Sequence, residues 1–312
     1  MKITEVAAAV IERPDGSFVL GQRAPDTFYP GYWEFPGGKV EPGESPHSAL
    51  VRELHEELEI DVVQAYPWIV REHAYEHAHV RLHFFRVTEW RGEFKDHVHS
   101  ALAWQRADAL TVSPMLPANA SVLAALALPD FYAISHAHEI GSKAQLAALE
   151  AALASGLRLV QLREAKLPAD QREAFAAAAT ALCHRHGARV LVNSDAQLAW
   201  AVGADGLHLS SSQLMAARNR PNLPLVAASC HNAGELRRAA EIGVDFAVLG
   251  PVAATVSHPG REGIGWQNLG MLLENCSLPV YALGGLGREN LHSARSAGAH
   301  GIAAIRAAWP VD

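Results

Sequence analysis

The chain has 312 residues, more than an average single domain needs, and this length favours two domains. Its 26 lysine and arginine residues against 33 aspartate and glutamate residues give a net charge of −7, which argues against a protein that binds nucleic acid stably. No apolar run approaches the roughly 20 residues of a membrane span. Three widely spaced cysteines, Cys183, Cys230 and Cys276, form no CxxC pair, so we expect a cytoplasmic protein without a disulfide scaffold or structural zinc.

The first 128 residues alternate strands and turns around one long charged helix. Apolar alternation predicts strands over 5–11, 17–23 and 80–87. The turn Pro14-Asp15-Gly16 between the first two strands is typical of a hairpin. Helical periodicity is strong over 45–58 and recurs in a short segment near 120–127. Leu128-Pro129-Asp130 is the predicted boundary between the domains.

From residue 131 onward, apolar strands alternate regularly with alanine-rich helical stretches. Eight strands are predicted, over 131–134, 157–162, 190–192, 206–209, 225–228, 246–249, 280–282 and 301–304. Gly203, Gly243 and Gly298 each precede a strand and suit helix C-caps. Eight β units joined by helical crossovers predict a closed parallel (βα)₈ TIM barrel. The fold class is therefore α/β, with domains at 1–128 and 129–312.

The most informative segment is a glycine-containing loop that leads into the helix predicted over 45–58. Ser45 can cap this helix and Pro46 suits its first position. At roughly 100° per residue, Glu53, Glu56 and Glu57 share one face, opposite a row of leucines. A solvated acidic stripe is the alternative, but hard oxygen ligands beside a glycine loop are what Mg²⁺ or Mn²⁺ bound to a phosphate substrate requires.

These residues resemble the signature of the Nudix hydrolases, G-x5-E-x7-R-E-U-x-E-E-x-G-U, in which U is aliphatic. The matching positions are Gly38, Glu44, Arg52, Glu53, Leu54, Glu56, Glu57 and Ile60. One position departs, because Glu59 stands where the signature has glycine. We expect this departure to strain the C-cap of the helix without removing a metal ligand. The resemblance implies an N-terminal α/β/α sandwich with a mixed sheet.

The whole of 1–128 resembles the MutT-type branch of that family, which hydrolyses oxidised guanine nucleotides. The resemblance rests on the segment 33–39 and on Arg23, Trp104 and Pro117-Ala118-Asn119. It implies that Asn119 reads the purine edge, for which an amide offers both a donor and an acceptor. The substrate-binding residues that it implies are Arg23, Phe28, Glu34, Phe35, Pro36, Gly37, Gly38 and Asn119. The alternative for Asn119 is a loop residue that forms an Asx turn.

The same resemblance implies metal-assisted hydrolysis of a diphosphate bond, with a nucleoside monophosphate and pyrophosphate as products. The catalytic residues would be Glu44, Arg52, Glu53, Glu56 and Glu57. The metal ligands would be the Gly37 carbonyl, Glu53, Glu56 and Glu57. The cofactor would be Mg²⁺ or Mn²⁺, which lowers the pKa of a bound water, and Arg52 would orient the acids by a bidentate contact.

The later loop at 95–99 departs from the MutT-type pattern. Those enzymes tend to carry a further glutamate where this chain has Val98. Asp96, His97 and His99 are the neighbouring side chains that could replace it, so the identity of the general base stays open among them.

Residues 131–308 resemble the barrels of the thiamine-phosphate synthase and TenI group. The matching pieces end predicted strands and include Gln161-Leu162-Arg163-Glu164, Asn193, Ser229-Cys230-His231, Ser257-His258-Pro259-Gly260 and Gly284-Gly285. Barrel enzymes build their sites on this face. The resemblance implies a phosphate-ester ligand site at Arg163, Asn193, His231, Gly284 and Gly285. For the two glycines, a tight turn is the alternative.

Several barrel positions depart from the synthase pattern. Ala165 stands where synthases carry lysine, and Ser194 stands where they carry a metal-binding aspartate. The neutral run Ser210-Ser211-Ser212-Gln213 replaces a second acidic ligand. Because two carboxylates are lost, we expect a phosphate-binding or regulatory barrel without synthase activity. His231 and His258 lie on the face where TenI-type barrels carry a catalytic histidine.

Three hypotheses about function follow from these resemblances. The leading one is a Nudix diphosphatase that converts 8-oxo-dGTP to 8-oxo-dGMP and pyrophosphate and so cleans the nucleotide pool that supplies DNA replication. The second keeps the Nudix chemistry but moves the substrate to thiamine-related diphosphates. The third is a ligand-sensing barrel coupled to the hydrolase. In each case the expected partner is a small molecule, not a membrane.

Overall fold

A computed structural model of the chain describes residues 3–76, 78–254 and 262–309. The chain divides into two units, Met1–Leu128 and Pro129–Asp312. Among the described residues, no helix combines the length and the apolar character that crossing a bilayer requires.

In the first unit, the described residues 3–76 and 78–128 form seven strands in two sheets, together with two helices. The strands are β1 (Ile3–Ile11), β2 (Phe18–Gln22), β3 (Trp33–Glu34), β4 (Gly37–Lys39), β5 (Asp61–Ala74), β6 (His79–Arg91) and β7 (Ala101–Gln105). The helices are α1 (Pro46–Leu58) and α2 (Ala120–Leu126), and a 3₁₀ turn at Pro117–Asn119 precedes α2. One sheet has the order β4-β1-β6-β5 and the other has the order β3-β2-β7.

The strand β1 lies inside its sheet, and its two faces pack against different helices. Ala7, Ala9 and Ile11 share a buried cluster with the leucines of α1. Ala8 and Val10 share the other cluster with residues of α2. The sheet is mixed, because β1 pairs with β6 in parallel and with β4 in antiparallel orientation. The predicted α/β/α sandwich with a mixed sheet is therefore confirmed.

The helix α1 forms where the sequence predicts it and for the predicted reasons. The Ser45 side chain accepts a hydrogen bond from the Ser48 amide at 3.1 Å, and Pro46 occupies the first turn. The three leucines of one row, Leu50, Leu54 and Leu58, are fully buried. The carboxylates therefore lie on the side that faces away from the core.

The predicted hairpin between the first two strands is wrong beyond its turn. Asp15 stabilises the turn by accepting hydrogen bonds from the amide and hydroxyl of Ser17 at 2.9 and 2.6 Å. Beyond a single bridge between Glu12 and Phe18, however, β1 and β2 enter different sheets. The reason is that both edges of β1 are already occupied by β4 and β6.

The long strand β5 has no counterpart among the predicted strands. It pairs with β6 in antiparallel orientation through register shifts between Val62 and Gln64, between Gln64 and Ala65, and between Pro67 and Val70. Each shift moves the following side chains to the other face. The apolar alternation that reveals a strand is therefore broken in the sequence.

The second unit is a closed barrel of eight parallel strands, as predicted. The strands are β8 (Phe131–Ile134), β9 (Leu159–Leu162), β10 (Arg189–Asn193), β11 (Gly206–Leu209), β12 (Leu225–Cys230), β13 (Phe246–Leu249), β14 (Val280–Leu283) and β15 (Gly301–Ala304). The helices are α3 (Ala137–Ile140), α4 (Ser142–Ala154), α5 (Ala169–Arg185), α6 (Ala196–Ala201), α7 (Ser211–Ala216), α8 (Ala233–Ile242), α9 (Gly265–Leu273) and α10 (Leu291–Ser296). Several of these helices are short, which is how the barrel closes within the available length.

The predicted helix–turn–strand joints are present in the barrel. Gly243 caps α8 with a φ of 78°, and Gly203 and Gly298 follow the C-caps of α6 and α10 with φ values of 66° and 87°. These left-handed conformations favour glycine because it lacks a Cβ.

The end of α1 carries the backbone strain that the sequence predicts. Glu59 is the C-cap residue and adopts a left-handed conformation with a φ of 52°, which is unfavourable for a residue with a Cβ. Its carboxylate accepts hydrogen bonds from Lys95 Nζ at 2.7 Å and contacts His97 Nε2 at 2.6 Å. These two neighbours hold the pKa of Glu59 below its ordinary value. Ion pairs across the 95–97 loop thus partly offset the strain.

We predict that Glu59→Gly raises the melting temperature of the first unit by a few degrees, because glycine adopts this conformation without strain. The gain should be larger in 1 M NaCl, where screening weakens the ion pairs that the substitution removes. Differential scanning calorimetry of the full chain measures both effects. The control is Glu59→Gln, which removes the charge but keeps the strain and should lower the melting temperature. Equal melting temperatures for the two variants would contradict the strain argument.

Candidate active site

The guanidinium of Arg52 is the centre of a hydrogen-bond network between α1 and the loop that precedes it. Its Nε and Nη2 donate to the two carboxylate oxygens of Glu44 at 3.2 and 3.0 Å. Its Nη1 donates to Glu53 at 2.8 Å and to Glu56 at 3.3 Å, and Nη2 also donates to the Lys39 carbonyl at 3.0 Å. These contacts raise the pKa of Arg52, and Arg52 lowers the pKa of Glu44. One arginine thus orients three of the predicted catalytic acids.

The two glycines of β4 allow close approaches on different sides, Gly38 to α1 and Gly37 to the backbone of β1. A Cβ at Gly38 would lie 2.2 Å from the carboxylate carbon of Glu53, so a side chain there would displace that acid. Gly37 has a φ of 136°, and its amide donates to Glu57 Oε2 at 3.1 Å. Gly38 therefore leaves room for the Glu53 carboxylate, and Gly37 donates a hydrogen bond to the Glu57 carboxylate.

Glu57 is the acid with the most perturbed protonation equilibrium in this group. Burial is the main reason that its pKa is raised to about 8, and repulsion from Glu53, Glu34 and Asp96 adds to the rise. The hydrogen bond from the Gly37 amide opposes the shift. Four acidic side chains are therefore close enough to interact electrostatically, and the charge of Glu57 is poorly compensated.

The acids of α1 do not converge on one point in this structure. Glu53 is drawn to Arg52, Glu57 is drawn to the Gly37 amide, and Glu56 is 60% exposed at the edge of the network. Among the described residues, no three acidic, histidine or cysteine side chains lie close enough together to hold a metal ion. The gathering of the predicted ligands thus requires side-chain rotation from the positions seen here.

In the loop at 95–99, the three side chains that could replace the missing glutamate, Asp96, His97 and His99, have different hydrogen-bond partners. The His97 ring is bound to the Glu59 carboxylate, and the His97 amide donates to the Glu57 carbonyl at 3.0 Å. Asp96 accepts hydrogen bonds from the Val98 amide at 3.2 Å and the His99 amide at 2.9 Å, and it contacts His99 Nδ1 at 3.0 Å. Asp96 also contributes to the raised pKa of Glu57. Val98 itself is exposed.

At the other end of the site, Arg23 holds Glu34 and the loop that follows β2. Its Nη1 donates to both carboxylate oxygens of Glu34 at 2.6 and 2.7 Å, and its Nε donates to the Phe28 carbonyl at 2.6 Å. Burial raises the pKa of Glu34 despite this ion pair. The Phe28 ring is 65% exposed. The structure therefore brings together three of the predicted substrate-binding residues, Arg23, Phe28 and Glu34.

The remaining predicted substrate-binding residues lie deeper. Phe35 is in the core, with its ring centroid 5.8 Å from those of Phe18 and Phe84. The Pro36 carbonyl is bound to the Ala9 amide at 2.8 Å. Asn119 is 3% exposed, and its Nδ2 donates to the Trp33 carbonyl at 3.5 Å. The Asn119 side chain makes no capping hydrogen bond to α2, so the Asx-turn alternative receives no support.

Three tyrosines near Arg23 and Asn119 were absent from the predicted site. Tyr29 lies 5.3 Å from Tyr32 and 5.5 Å from Tyr75, measured between ring centroids. Tyr75 hydrogen-bonds the backbone of Ala118, and burial raises its pKa. Tyr29 has a left-handed backbone with a φ of 56°, which is uncommon for an aromatic residue. In the sequence, the occurrence of Tyr29 and Tyr32 a few residues after Arg23 is the feature that could have indicated this aromatic surface.

In the barrel, the predicted ligand residues lie at the carboxyl ends of four strands. Arg163 follows β9, Asn193 ends β10, His231 follows β12, and Gly284 and Gly285 follow β14. His231 is exposed and contacts Glu235 through Nδ1 at 3.0 Å. A Cβ at Gly284 would lie 2.7 Å from Pro251, so a close backbone approach accounts for that glycine. His258 and its neighbours lie outside the described residues.

The residues that replace the synthase acids bind one another. Ser210 and Gln213 form a reciprocal capping box at the start of α7. Gln213 Nε2 also donates to the Ser194 carbonyl at 2.8 Å. The side chains of Ser210 and Gln213 are thus engaged in the cap of α7, and Gln213 also links that cap to the backbone after β10.

Comparison with known families agrees with both halves of this description. The family model described as the NUDIX domain matches residues 2–126, and the model described as thiamine monophosphate synthase matches residues 131–308. The CTP pyrophosphohydrolase of Escherichia coli (strain K12) is 40% identical over 131 residues, which cover 40% of this chain and 92% of that protein. The thiamine-phosphate synthase of Thermobifida fusca (strain YX) is 39% identical over 165 residues, which cover 51% of this chain and 75% of that protein.

Other similarities are partial. Two longer relatives of the barrel half match over 34% and 48% of their own lengths. The crystal structure of a MutT NUDIX hydrolase from Burkholderia pseudomallei shares 29% identity with a TM-score of 0.37, and the match covers 39% of this chain and 97% of that one. The family matches, together with relatives that are covered over most of their length, show that the chain belongs to the Nudix hydrolases through its first half and to the thiamine monophosphate synthases through its second half.

Proposed function

We propose that the first unit is a metal-dependent nucleoside triphosphate diphosphatase that releases pyrophosphate. The observation that carries this proposal is the Arg52 network, which presents Glu53 and Glu56 beside the buried and poorly compensated Glu57. Carboxylates crowded in this way are unfavourable without a cation. A phosphate chain with bound divalent ions supplies the cations.

The donor set fits Mg²⁺ or Mn²⁺ by its chemistry, because it consists of carboxylates beside a glycine loop. Glu53, Glu56, Glu57 and the Gly37 carbonyl are the groups that would hold it. The ion would neutralise the phosphates and lower the pKa of a bound water. In this assignment Arg52 and Glu44 act as positioning residues, because Arg52 fixes the rotamer of Glu53 and Glu44 fixes Arg52.

Asp96 is the best-placed replacement for the glutamate that the later loop lacks. It is the side chain of that loop that interacts with Glu57, whereas His97 is bound to Glu59. Hydrogen bonds from the His99 amide and contact with the His99 ring orient its carboxylate. We therefore assign to Asp96 the contribution of the later loop to the acid cluster.

An oxidised guanine nucleotide, 8-oxo-dGTP, is the proposed substrate. Asn119 is buried, its side chain is not used as a helix cap, and its Nδ2 makes one long hydrogen bond of 3.5 Å to the Trp33 carbonyl, which a base edge would replace. Tyr29 and Tyr75 lie near Arg23 and provide aromatic surface for a base. Glu34, which Arg23 holds, also interacts with Glu57 and so connects this end to the acids of α1.

CTP is a second candidate substrate, because the Escherichia coli relative is named for its action on CTP and the matched region covers 92% of that protein. An asparagine amide also complements a cytosine edge, which presents an acceptor beside a donor. A thiamine-related diphosphate is the third candidate, and it rests on the fused barrel.

For the barrel, we propose that synthase activity is lost and that a phosphate-ester ligand or a regulatory role remains. The proposal is supported by Ser194 and the Ser210–Gln213 capping box, which place neutral groups where a metal-binding site needs acids.

We predict that Glu57→Gln lowers kcat/KM by at least about 100-fold, because loss even of an outer partner of a metal ligand costs about 10–100-fold. The fold should persist, since an amide still accepts the hydrogen bond from Gly37. Pyrophosphate release with Mg²⁺ is the measurement. The matched control is Glu93→Gln, which removes an exposed carboxylate outside the site. Near wild-type turnover of the Glu57 variant would refute the assignment.

The pKa of Glu57 also predicts how stability depends on pH in the absence of divalent ions. The folded protein retains a proton up to about pH 8, whereas an unfolded chain releases it near 4.5. The free energy of unfolding should therefore fall as the pH rises through this window. Urea unfolding from pH 5 to 8 in EDTA should show a smaller fall for Glu57→Gln, and added Mg²⁺ should flatten the wild-type curve. Parallel curves for both proteins would contradict the raised pKa.

We predict that Asn119→Ala damages discrimination between 8-oxo-dGTP and dGTP more than it damages hydrolysis itself. Loss of a buried hydrogen-bond partner costs about 1–3 kcal/mol, which corresponds to roughly 5- to 150-fold. The measurement is kcat/KM of wild type and variant for 8-oxo-dGTP, dGTP, CTP and thiamine diphosphate. An unchanged ratio would remove Asn119 from the base pocket, and a wild-type preference for CTP or thiamine diphosphate would replace the proposed substrate.

A further inference from the structure

A cavity of about 210 Å³ lies in the second unit, beside the carboxyl ends of β9 and β10 and the first turns of α5 and α6. The apolar part of its lining includes Leu162, Phe175, Val192 and Leu198. Packed interiors hold few voids larger than a water molecule, whose share of liquid volume is about 30 Å³. A cavity of this size is therefore space for water molecules or a ligand.

Two carboxylates that line the cavity, those of Glu164 and Asp195, are already engaged in hydrogen bonds. Glu164 accepts hydrogen bonds from the Ser135 hydroxyl at 2.6 Å and from the Ala137 and His138 amides at 2.7 and 2.9 Å. Asp195 caps α6 by accepting from the Leu198 amide at 2.9 Å. Both therefore act in the scaffold and leave binding to other groups.

Arg172, in the first turn of α5, is the positively charged residue among those that line the cavity. Its Nη2 forms an ion pair with Asp195 Oδ2 at 3.8 Å, a distance too long for a hydrogen bond. Its Nε is buried and has no hydrogen-bond partner among the residues that the structure describes. A buried N–H without an acceptor is unfavourable, and a guanidinium presents its donors in a fork that matches a carboxylate.

We propose that this cavity binds a small apolar carboxylate, consisting of one ring or a short branched chain with a single carboxylate group that pairs with Arg172. The apolar side chains that line the cavity would contact the ring or the branched chain of this molecule. The volume is below the roughly 300 Å³ at which pockets for drug-sized ligands begin, so one ring is the size that fits. The charges of Asp195 and Glu164 repel a dianionic phosphate ester more strongly than a monoanion.

This site differs from the predicted phosphate-ester site, with which it shares Asn193. It is also independent of the proposed hydrolysis in the first unit, because none of the residues assigned to that chemistry lines the cavity. Ala165 and Ser194, small residues where related synthases carry larger charged ones, lie in the wall of the cavity and leave it open.

The test uses the full chain and benzoate as the probe, with binding measured by titration calorimetry and by the benzoate-dependent rise in melting temperature. Benzoate should bind, Arg172→Gln should weaken it at least tenfold, and Ala176→Leu should abolish it by filling the cavity. The matched control is Arg185→Gln, an exposed arginine in the same helix, which should leave binding unchanged. Nucleotide hydrolysis should be unaffected in all three variants.

Phenyl phosphate and inorganic phosphate complete the design. Phenyl phosphate should bind more weakly than benzoate, and inorganic phosphate, which lacks an apolar body, should not compete. The proposal is overturned if benzoate fails to bind at millimolar concentration or binds equally to the Arg172 variant. Tighter binding of phenyl phosphate through Arg172 would overturn the carboxylate class.

Discussion

The hydrogen bonds of Arg52 are the interaction on which the first unit depends. A single guanidinium joins Glu44 and the Lys39 carbonyl in the loop to Glu53 and Glu56 on the helix. Because the fork of donors is rigid, the loop and the helix are fixed in register with each other. Gly38 is required for the same geometry, since a Cβ there would displace the Glu53 carboxylate. The spacing of the signature residues therefore brings the loop and the helix α1 into contact through Arg52.

That contact leaves an imbalance of charge, and the imbalance explains the chemistry we propose. Arg52 is shared among three acids, while Glu57 faces Glu34 and Asp96 with a backbone amide as its hydrogen-bond donor. A cation bound with the phosphates of a substrate would relieve this repulsion. Glu59, at the end of the same helix, is different, because Lys95 and His97 pair with it. Glu59, which stands in place of the signature glycine, is thus held by its own partners outside the acid cluster of α1.

The barrel uses its acidic residues for the scaffold. Glu164 is 2% exposed in its side chain and organises the loop after β8, while Asp195 begins α6. Near them, the Gln213 side chain donates a hydrogen bond to the backbone carbonyl of Ser194. Among the residues that the structure describes at this end of the barrel, Arg172 keeps a buried Nε without an acceptor, and this donor is the basis of the anionic ligand that we propose.

The sequence by itself determined both fold classes, the barrel strands and the helix that carries the acids, because these depend on local periodicity, caps and signature spacing. It also identified Arg52 with its acids, whereas the pairing of Arg23 with Glu34 came from the structure. The tertiary structure decided what local patterns do not contain. Register shifts hid β5, and two occupied edges of β1 separated it from β2. Burial placed Phe35 in the core, and contacts distant in sequence brought Tyr75 to Ala118 and left Arg172 beside a cavity.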